Sequence, residues 1–375
     1  MNTISDNKKV KVCHLSSVHQ RYDTRVFLKQ LTYLSEYYDT HFIVADGLSD
    51  EVRNNVNIID VGKRKGRLER IFKSTDDIYK KALEVDASIY HIHDPELLLI
   101  ARKLLSKGYK VVFDAHENFS KQLLSKPYLK PWQGKLLSKC ASMFESFTLP
   151  KLSGLIAATP SIANNLMKYN QVATVNNFPM LKELHSEQSN WDAKKQQVCY
   201  VGAFGTIRGA KELFSAAEHF PHGINLKIAG NSSETWCQHS LERGDLSGVQ
   251  YLGSLNREQV KELLSESMAG IVTFLPLPNH IDAQPNKMFE YMSAGIPVIC
   301  SNFELWRDII ESNECGLVVD PEDPYAIAQA IEKLVSNPEL AERLGNNGRR
   351  AVTEKYNWET EFNFLNDFYE AILND

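Results

Sequence analysis

Residues 270–301 read GIVTFLPLPNHIDAQPNKMFEYMSAGIPVICS. A short apolar run at 270–274 enters a proline-rich loop, a helical pattern begins near Asn286, and a second apolar run follows at 297–300. Two runs joined through a helix make a parallel strand pair, since an antiparallel pair needs only a tight turn and a parallel one needs a crossover. Runs this uniformly apolar belong to a sheet covered on both faces.

The same unit repeats on either side. Earlier in the second half, strand-like runs fall at 197–201, 226–229 and 249–252, with helical patterns at 211–219 and 257–267. Later come a run at 316–319 and helical patterns at 324–335, 338–355 and 358–373. The first half carries runs at 10–16, 41–45, 56–61, 88–92, 110–114, 155–158 and 172–175, separated by helical patterns at 24–35, 68–82, 95–105, 133–147 and 160–168. The stretch KELHSEQSNWDAKK (182–195) is hydrophilic, has no clear period, and interrupts the rhythm. The expected fold is α/β, with two doubly wound, Rossmann-like parallel-sheet domains at 1–180 and 197–357. A linker is expected at 181–196, and a closing helix at 358–375 packing back on the N-terminal domain. Ligands of such sheets sit beyond the carboxyl ends of the strands, and two such domains facing each other would enclose a cleft.

Composition agrees with two ordinary cores: 375 residues, 43% hydrophobic and 24% charged, which excludes a disordered or coiled-coil chain. Six scattered cysteines without a C-x-x-C exclude a disulfide scaffold or zinc ribbon and fit a reducing cytoplasm. The polar start at 1–11 carries no signal-peptide pattern, and no run is long enough to span a membrane. The net charge of −5 is unevenly placed. Residues 1–180 hold 26 Lys/Arg against 18 Asp/Glu, the rest 16 against 29, so the first half is suited to something anionic.

Candidate residues cluster after the strands. A helix starting near Asn286 or Pro285 leaves backbone N–H groups for an anion such as a diphosphate. Lys287 in its first turn opposes the helix dipole unless an anion offsets it. Glu290, one turn on, is either a surface carboxylate or an acceptor for a vicinal diol such as ribose. Asp282 lies eight residues earlier, in the loop. VGAFGTIRGAKEL (201–213) puts Gly202 and Gly205 in a turn ahead of Arg208, whose guanidinium suits phosphate. It is neither a P-loop nor a dinucleotide fingerprint. Gly230 and Asn231, in IAGNSSET (228–235), also suit an ordinary turn. In the first half, KVVFDAHEN (110–118) ends a strand in Asp114, His116 and Glu117. His91 and His93 in HIHDPE (91–96) share one face, but no third ligand is evident and no metal is expected. Asp94 suits a helix N-cap ahead of Pro95. SSVHQRYDTRVF (16–27) carries His19 and Arg21, and its Asp23 reads equally as a helix cap or a substrate contact. KQLLSKPYLKPWQGKLLSK (121–139) interleaves lysines with Trp132 and leucines. It is either a membrane-surface anchor, helped by KRKGRLER (63–70), or a helix packed on the core.

The segment 276–301 resembles the Glu-x7-Glu signature of the retaining glycosyltransferases of family 4, the group 1 enzymes with the GT-B fold. FEYMSAGIPVI (289–299) is similar to that family's helix almost letter for letter, with Glu290 at its second glutamate and Asp282 at its first. VGAFGTIRGAKEL is similar to the family's phosphate-binding turn, with Arg208 at the lysine position and Ala203 at the arginine position. The alternation of both halves and the closing helix extend the resemblance over essentially the whole chain, in the style of bacterial surface-polysaccharide members. It implies a donor diphosphate held by Gly202, Arg208, Asn286 and Lys287, a ribose on Glu290, and a base near Gly230 and Asn231. It places His116 and Asp282 by the donor sugar. His19 and Arg21 fall on the acceptor side, together with His93 or Asp94.

The implied activity moves a sugar from a nucleotide-diphosphate sugar, UDP before GDP, to a glycan or lipid-linked glycan with retention of configuration. That places the chain in capsule, lipopolysaccharide or O-antigen assembly, cytoplasmic and peripheral at the inner face of the cell membrane. It implies neither cofactor, metal nor nucleic acid. A donor-epimerising isomerase and a non-catalytic homologue are the other readings, the latter resting on Ala203 and Asp282.

Overall fold

The computed structural model describes residues 9–66, 69–125, 130–184, 191–243 and 246–375. Several features named above fall outside them: residues 1–8, Arg67 and Leu68, residues 126–129 of the lysine-rich segment, and residues 185–190 of the expected linker. The chain forms two units. One comprises Met1–Asn177 with Glu361–Asp375, the other Phe178–Thr360.

The first unit is built on β1 (Lys11–Leu15), β2 (Asp39–Val44), β3 (Glu51–Arg53), β4 (Val56–Asp60), β5 (Ile89–Ile92), β6 (Lys110–Ala115), β7 (Gly154–Ala157) and β8 (Val172–Thr174). Their order is β3-β4-β2-β1-β5-β6-β7-β8, and every pairing is parallel except β3 with β4. β3 was not expected. Its hairpin turns on Asn54 and Asn55, both at positive φ (50° and 59°), the geometry of a two-residue primed turn that asparagine tolerates. The Asn-Asn pair was the available signal.

The second unit holds β9 (Gln197–Val201), β10 (Asn225–Ala229), β11 (Val249–Tyr251), β12 (Ala269–Val272), β13 (Val298–Ser301) and β14 (Gly316–Val319). All are parallel in the order β11-β10-β9-β12-β13-β14, the 3-2-1-4-5-6 order of a doubly wound fold. Two helices of eight or more residues went unexpected, Thr235–Glu242 and Glu304–Ser312. The second has the i, i+3, i+4 signature in its buried Trp306, Ile309 and Ile310.

The hydrophilic stretch after residue 180 is not a bare linker. It contains the helix Leu181–Leu184, with Leu184 buried, and the turn Trp191–Ala193, all within the second unit. The last helix, Trp358–Asn374, joins the first unit from Glu361 onward. There Leu365, Tyr369 and Ile372 are buried, and Glu361 accepts hydrogen bonds from Asn176 N (2.6 Å) and Nδ2 (3.1 Å).

One strand–helix contact in the second unit is set by a missing side chain. A Cβ on Gly270 would lie 2.2 Å from the buried ring of Tyr291, whose hydroxyl accepts from Val201 N at 2.9 Å. Gly270→Ala should therefore destabilise the second unit by about 3 kcal/mol. Gly253, whose Cβ would meet nothing within 4 Å, should lose only about 1 kcal/mol on the same change, for its positive φ of 67°. Denaturant midpoints of both variants decide the matter.

Candidate functional site

In the second unit the expected donor residues gather at the carboxyl ends of β9, β10 and β12. Gly202 (φ 107°) and Gly230 (φ 135°) bring two turns together so closely that a Cβ on Gly230 would sit 2.2 Å from Gly202 O. Asn231, exposed, accepts from Phe204 N through its backbone. The 3-10 turn Thr206–Arg208 follows, pinned by Glu234, which accepts from Thr206 N at 3.0 Å and Trp236 Nε1 at 2.6 Å. Arg208 donates through Nη1 to Ala203 O (2.7 Å) and lies over the Phe274 ring at 5.7 Å. The position where the resembled motif has arginine thus offers its backbone carbonyl to Arg208.

The helix Asn286–Ser293 begins at the cap Pro285, which makes no side-chain hydrogen bond to it. Asn286 is exposed, and Trp306 Nε1 holds the preceding loop by donating to Ala283 O at 2.7 Å. The Lys287 side chain folds back against the Gly202 turn. Its Nζ is buried 3.6 Å from the centroid of Tyr200 and 5.4 Å from that of Phe274, with no hydrogen-bond partner among the described residues. Burial, and then the neighbouring Arg208 charge, hold its pKa well below the ordinary lysine value, while Glu290 acts weakly the other way. Glu290 is bound by a residue that the sequence did not mark, Arg257, whose Nη1 donates to Glu290 Oε1 at 3.0 Å and which also pairs with Glu183. Asp282 is exposed at the end of the short helix Pro278–Ile281.

The first unit concentrates polar groups at the ends of β1, β5 and β6. Asp114 is fully buried and accepts from Arg25 Nε (3.0 Å to Oδ2) and Nη2 (2.8 Å to Oδ1), and from Gln30 Nε2 (2.8 Å to Oδ2). His116 Nε2 lies 3.2 Å from Asp114 Oδ2, with the His116 side chain 23% exposed. Burial alone would raise the Asp114 pKa, but Arg25 and then His116 bring it well below the carboxylate range. Behind His116 sit His93, His14 and His91 together with Tyr369 of the last helix, all buried. Burial is the first cause that keeps the three imidazoles neutral, their pKa values well below the ordinary one. His14 is the third imidazole missing from the sequence reading, brought beside His91 by the pairing of β1 with β5. Hydrogen bonds engage every ring nitrogen of these three except His91 Nε2.

Three of the acceptor-side candidates are engaged within the first unit. Arg21 is 4% exposed and commits its guanidinium to Asp46 and Glu51. His93 is buried behind His116. Asp94 does not cap its own helix. Its Oδ2 reaches across to Ser16 Oγ (2.8 Å), Ser17 N (2.6 Å) and Val18 N (3.1 Å), shaping the loop that carries His19. Asp23 caps the π-helical stretch Thr24–Leu31, accepting from Arg25 N and Val26 N. His19 stands between Asp23 (3.5 Å) and Asp94 (3.6 Å), its ring 4.8 Å from that of His116. Burial opposes its charge, but the Asp23 hydrogen bond and the carboxylates of Asp94 and Asp114 prevail, and its pKa is raised.

Residues 182–351 match the family described as Glycosyl transferases group 1. The chain is 26% identical over 234 residues to the capsular polysaccharide biosynthesis glycosyltransferase CapM of Staphylococcus aureus, covering 57% of this chain and 59% of CapM. It is 24% identical to O-antigen chain mannosyltransferase C of Escherichia coli over 64% of this chain and 66% of that one. It covers 40% of the length of a Mycobacterium tuberculosis glycogen synthase, so it spans about half the length of the curated relatives it matches. Among solved structures, sucrose-phosphate synthase from Thermosynechococcus elongatus superposes with a TM-score of 0.78 at 17% identity, over 98% of this chain and all of that one. HepE of Anabaena in complex with UDP gives 0.74 at 13% identity, over 96% of this chain and all of that one. The fold is GT-B.

The buried imidazoles make the first unit acid-sensitive. Below about pH 6.5 the unfolded chain protonates His14, His91 and His93 and the folded chain does not, so stability falls by about 1.4 kcal/mol per pH unit for each. The raised pKa of His19 acts only above about pH 6.5, where it adds stability as the pH falls; below that the folded and unfolded chains both protonate His19, and the slope is that of three imidazoles. His91→Phe should lower it by about a third. Denaturant midpoints between about pH 7 and 5 measure this, and a flat profile would contradict it.

Proposed function

We propose, from a second unit that belongs to the group 1 glycosyl transferases through residues 182–351, that this chain transfers a sugar from a nucleotide-diphosphate sugar to a glycan or lipid-linked glycan. The observation that carries it is the Lys287 side-chain nitrogen, buried and without a hydrogen-bond partner among the described residues, beside the Gly202 turn and at the start of a helix whose cap makes no side-chain hydrogen bond. A diphosphate draws a proton onto that nitrogen and compensates the resulting cation and the amides together. Arg208 supplies the second cation and Glu290 takes the ribose. Gly230 and Asn231 meet the base. In the roles that the resemblance gives them, His116 and Asp282 meet the donor sugar.

Cleavage of the anomeric C–O bond leaves its electron pair on the diphosphate, where Lys287, Arg208 and the amides near Asn286 stabilise the developing charge. The acceptor hydroxyl oxygen forms the new bond on the same face, and its proton passes to the departing diphosphate oxygen. Configuration is thereby retained. UDP is favoured as carrier, supported by HepE complexes with UDP and UDP-glucose, and GDP stands next.

The capsular and O-antigen relatives support a role in surface-polysaccharide assembly. The helix Pro131–Thr148 supports a peripheral site on the anionic inner face of the cell membrane. It exposes Trp132, Leu136, Met143 and Phe147 along one stripe, flanked by Lys135 and Lys139. No described helix is long and apolar enough to cross a membrane.

Because free Lys287 is held well below its ordinary pKa, binding a diphosphate restores its proton, and affinity declines as pH rises through that range. Calorimetry of UDP and GDP in buffers of different ionisation enthalpy should show proton uptake above about pH 8, where the terminal phosphate is already ionised. Lys287→Met should abolish that uptake, and Arg208→Ala should lower kcat/KM by at least about tenfold. Failure of both nucleotides to bind would remove the proposal.

A further inference from the structure

The polar groups behind His116 form a hydrogen-bonded circuit in which Asp114 fixes the proton position of His116. It starts at Asp114. This carboxylate is ionised and accepts from Arg25 and Gln30, so it can only accept from His116 Nε2 at 3.2 Å, and that nitrogen must carry the hydrogen. In one direction His93 Nδ1, 3.4 Å from the same nitrogen and 3.6 Å from the carboxylate, is a bare acceptor. A neutral His93 then has its hydrogen on Nε2 and donates to His14 Nδ1 at 2.8 Å. His14 in turn donates through Nε2 to the Tyr369 hydroxyl at 3.1 Å. Tyr369 stays protonated and donates to His91 Nδ1 at 2.6 Å. The remaining hydrogen, on His91 Nε2, faces Asp114 Oδ2 at 3.9 Å and closes the circuit where it began. Reversing the run from His93 to His91 leaves His116 unchanged, because its Nε2 still faces a carboxylate that can only accept.

We propose that Asp114 is a positioning residue that fixes His116 as the Nε2–H tautomer, leaving its Nδ1 as a bare acceptor for a hydroxyl of the sugar substrate. The role given to that hydroxyl rests on the function proposed above, whereas the tautomer rests on the circuit alone. A bare ring nitrogen orients an uncharged sugar hydroxyl by taking its hydrogen bond. An Nδ1–H would instead compete for the hydroxyl's oxygen.

Ring-nitrogen NMR of the full chain labelled with 15N-histidine reads the tautomer directly. His116, assigned by loss of its signals in His116→Gln, should show a pyrrole-type Nε2 and a pyridine-type Nδ1. The reverse pattern, or a mixture of the two, overturns the assignment. Asp114→Asn can donate its amide to Nε2, so it should move the hydrogen to Nδ1 and lower kcat by about 100-fold or more while KM changes little. An unchanged tautomer in that variant also overturns the proposal. The wild-type spectrum decides the tautomer even if the variant does not fold. It does so equally if no sugar nucleotide is used, so failure of the functional reading is seen separately, in the absence of donor binding.

Discussion

A parallel sheet covered on both faces has few places where polar chemistry is inexpensive, and those are the carboxyl ends of its strands. Both units obey this. Ser16 and Ser17 follow β1, His93 and Asp94 follow β5, and His116 follows β6. Gly202, Gly230 and the loop before Asn286 follow β9, β10 and β12. Residues inside the strands cannot use water in this way. His14, His91 and Asp114 are within β1, β5 and β6 and fully buried, so they are tolerable only as partners of one another and of Arg25 and Tyr369.

The two units treat a buried charge in opposite ways. In the first, the Asp114 carboxylate meets a bidentate guanidinium, an amide and an imidazole, and the arrangement is complete without any further group. In the second, the Lys287 nitrogen rests on aromatic faces and bonds to nothing among the described residues, so burial disfavours its charge until an anion arrives. Cation–π attraction recovers only part of the solvation lost on burial. A satisfied ion stiffens its surroundings, whereas an unsatisfied one creates affinity for an ion of opposite sign. Rigid orientation of an imidazole and capture of an anion are the two services these arrangements can render.

Much of this was legible in the residues themselves. Apolar runs and caps located thirteen of the fourteen strands, because parallel strands buried on two faces leave a strong signal. β3 escaped because an edge strand of three residues carries no apolar run. Among site residues, proximity along the chain was readable and proximity through the fold was not. Lys287 and Glu290 were marked from helix geometry, but Arg257, which bonds Glu290, comes from another helix. His91 and His93 were seen to share a face, yet His14 joins them because the doubly wound order sets the first strand beside the fifth, pairing His14 with His91. Arg21 and Asp94 look alike in sequence to exposed loop charges, and only their partners across the sheet, Asp46 and Ser17, show how they are used.

The charge asymmetry between the halves changes meaning once those partners are known. Three cations of the first unit are taken inside it: Arg21 by Asp46 and Glu51, Arg25 by Asp114 and Val175 O, and Lys29 by Asn177. The carboxylates that take Arg21 and Arg25 belong to the same half and are already subtracted in the count, and Asn177 is neutral, so the net positive balance stands. What remains to act on an anionic surface is the exposed set, and part of it lies on one helix. Lys135 and Lys139 flank Trp132, Leu136, Met143 and Phe147 there, and Lys151 packs its ammonium 3.9 Å over the Phe147 ring. Lysines edging an exposed apolar stripe can act in concert, because the stripe gains by leaving water only where the lysines find negative charge. The helix Pro131–Thr148 is thus one place where the exposed positive charge of the first half stands beside apolar surface.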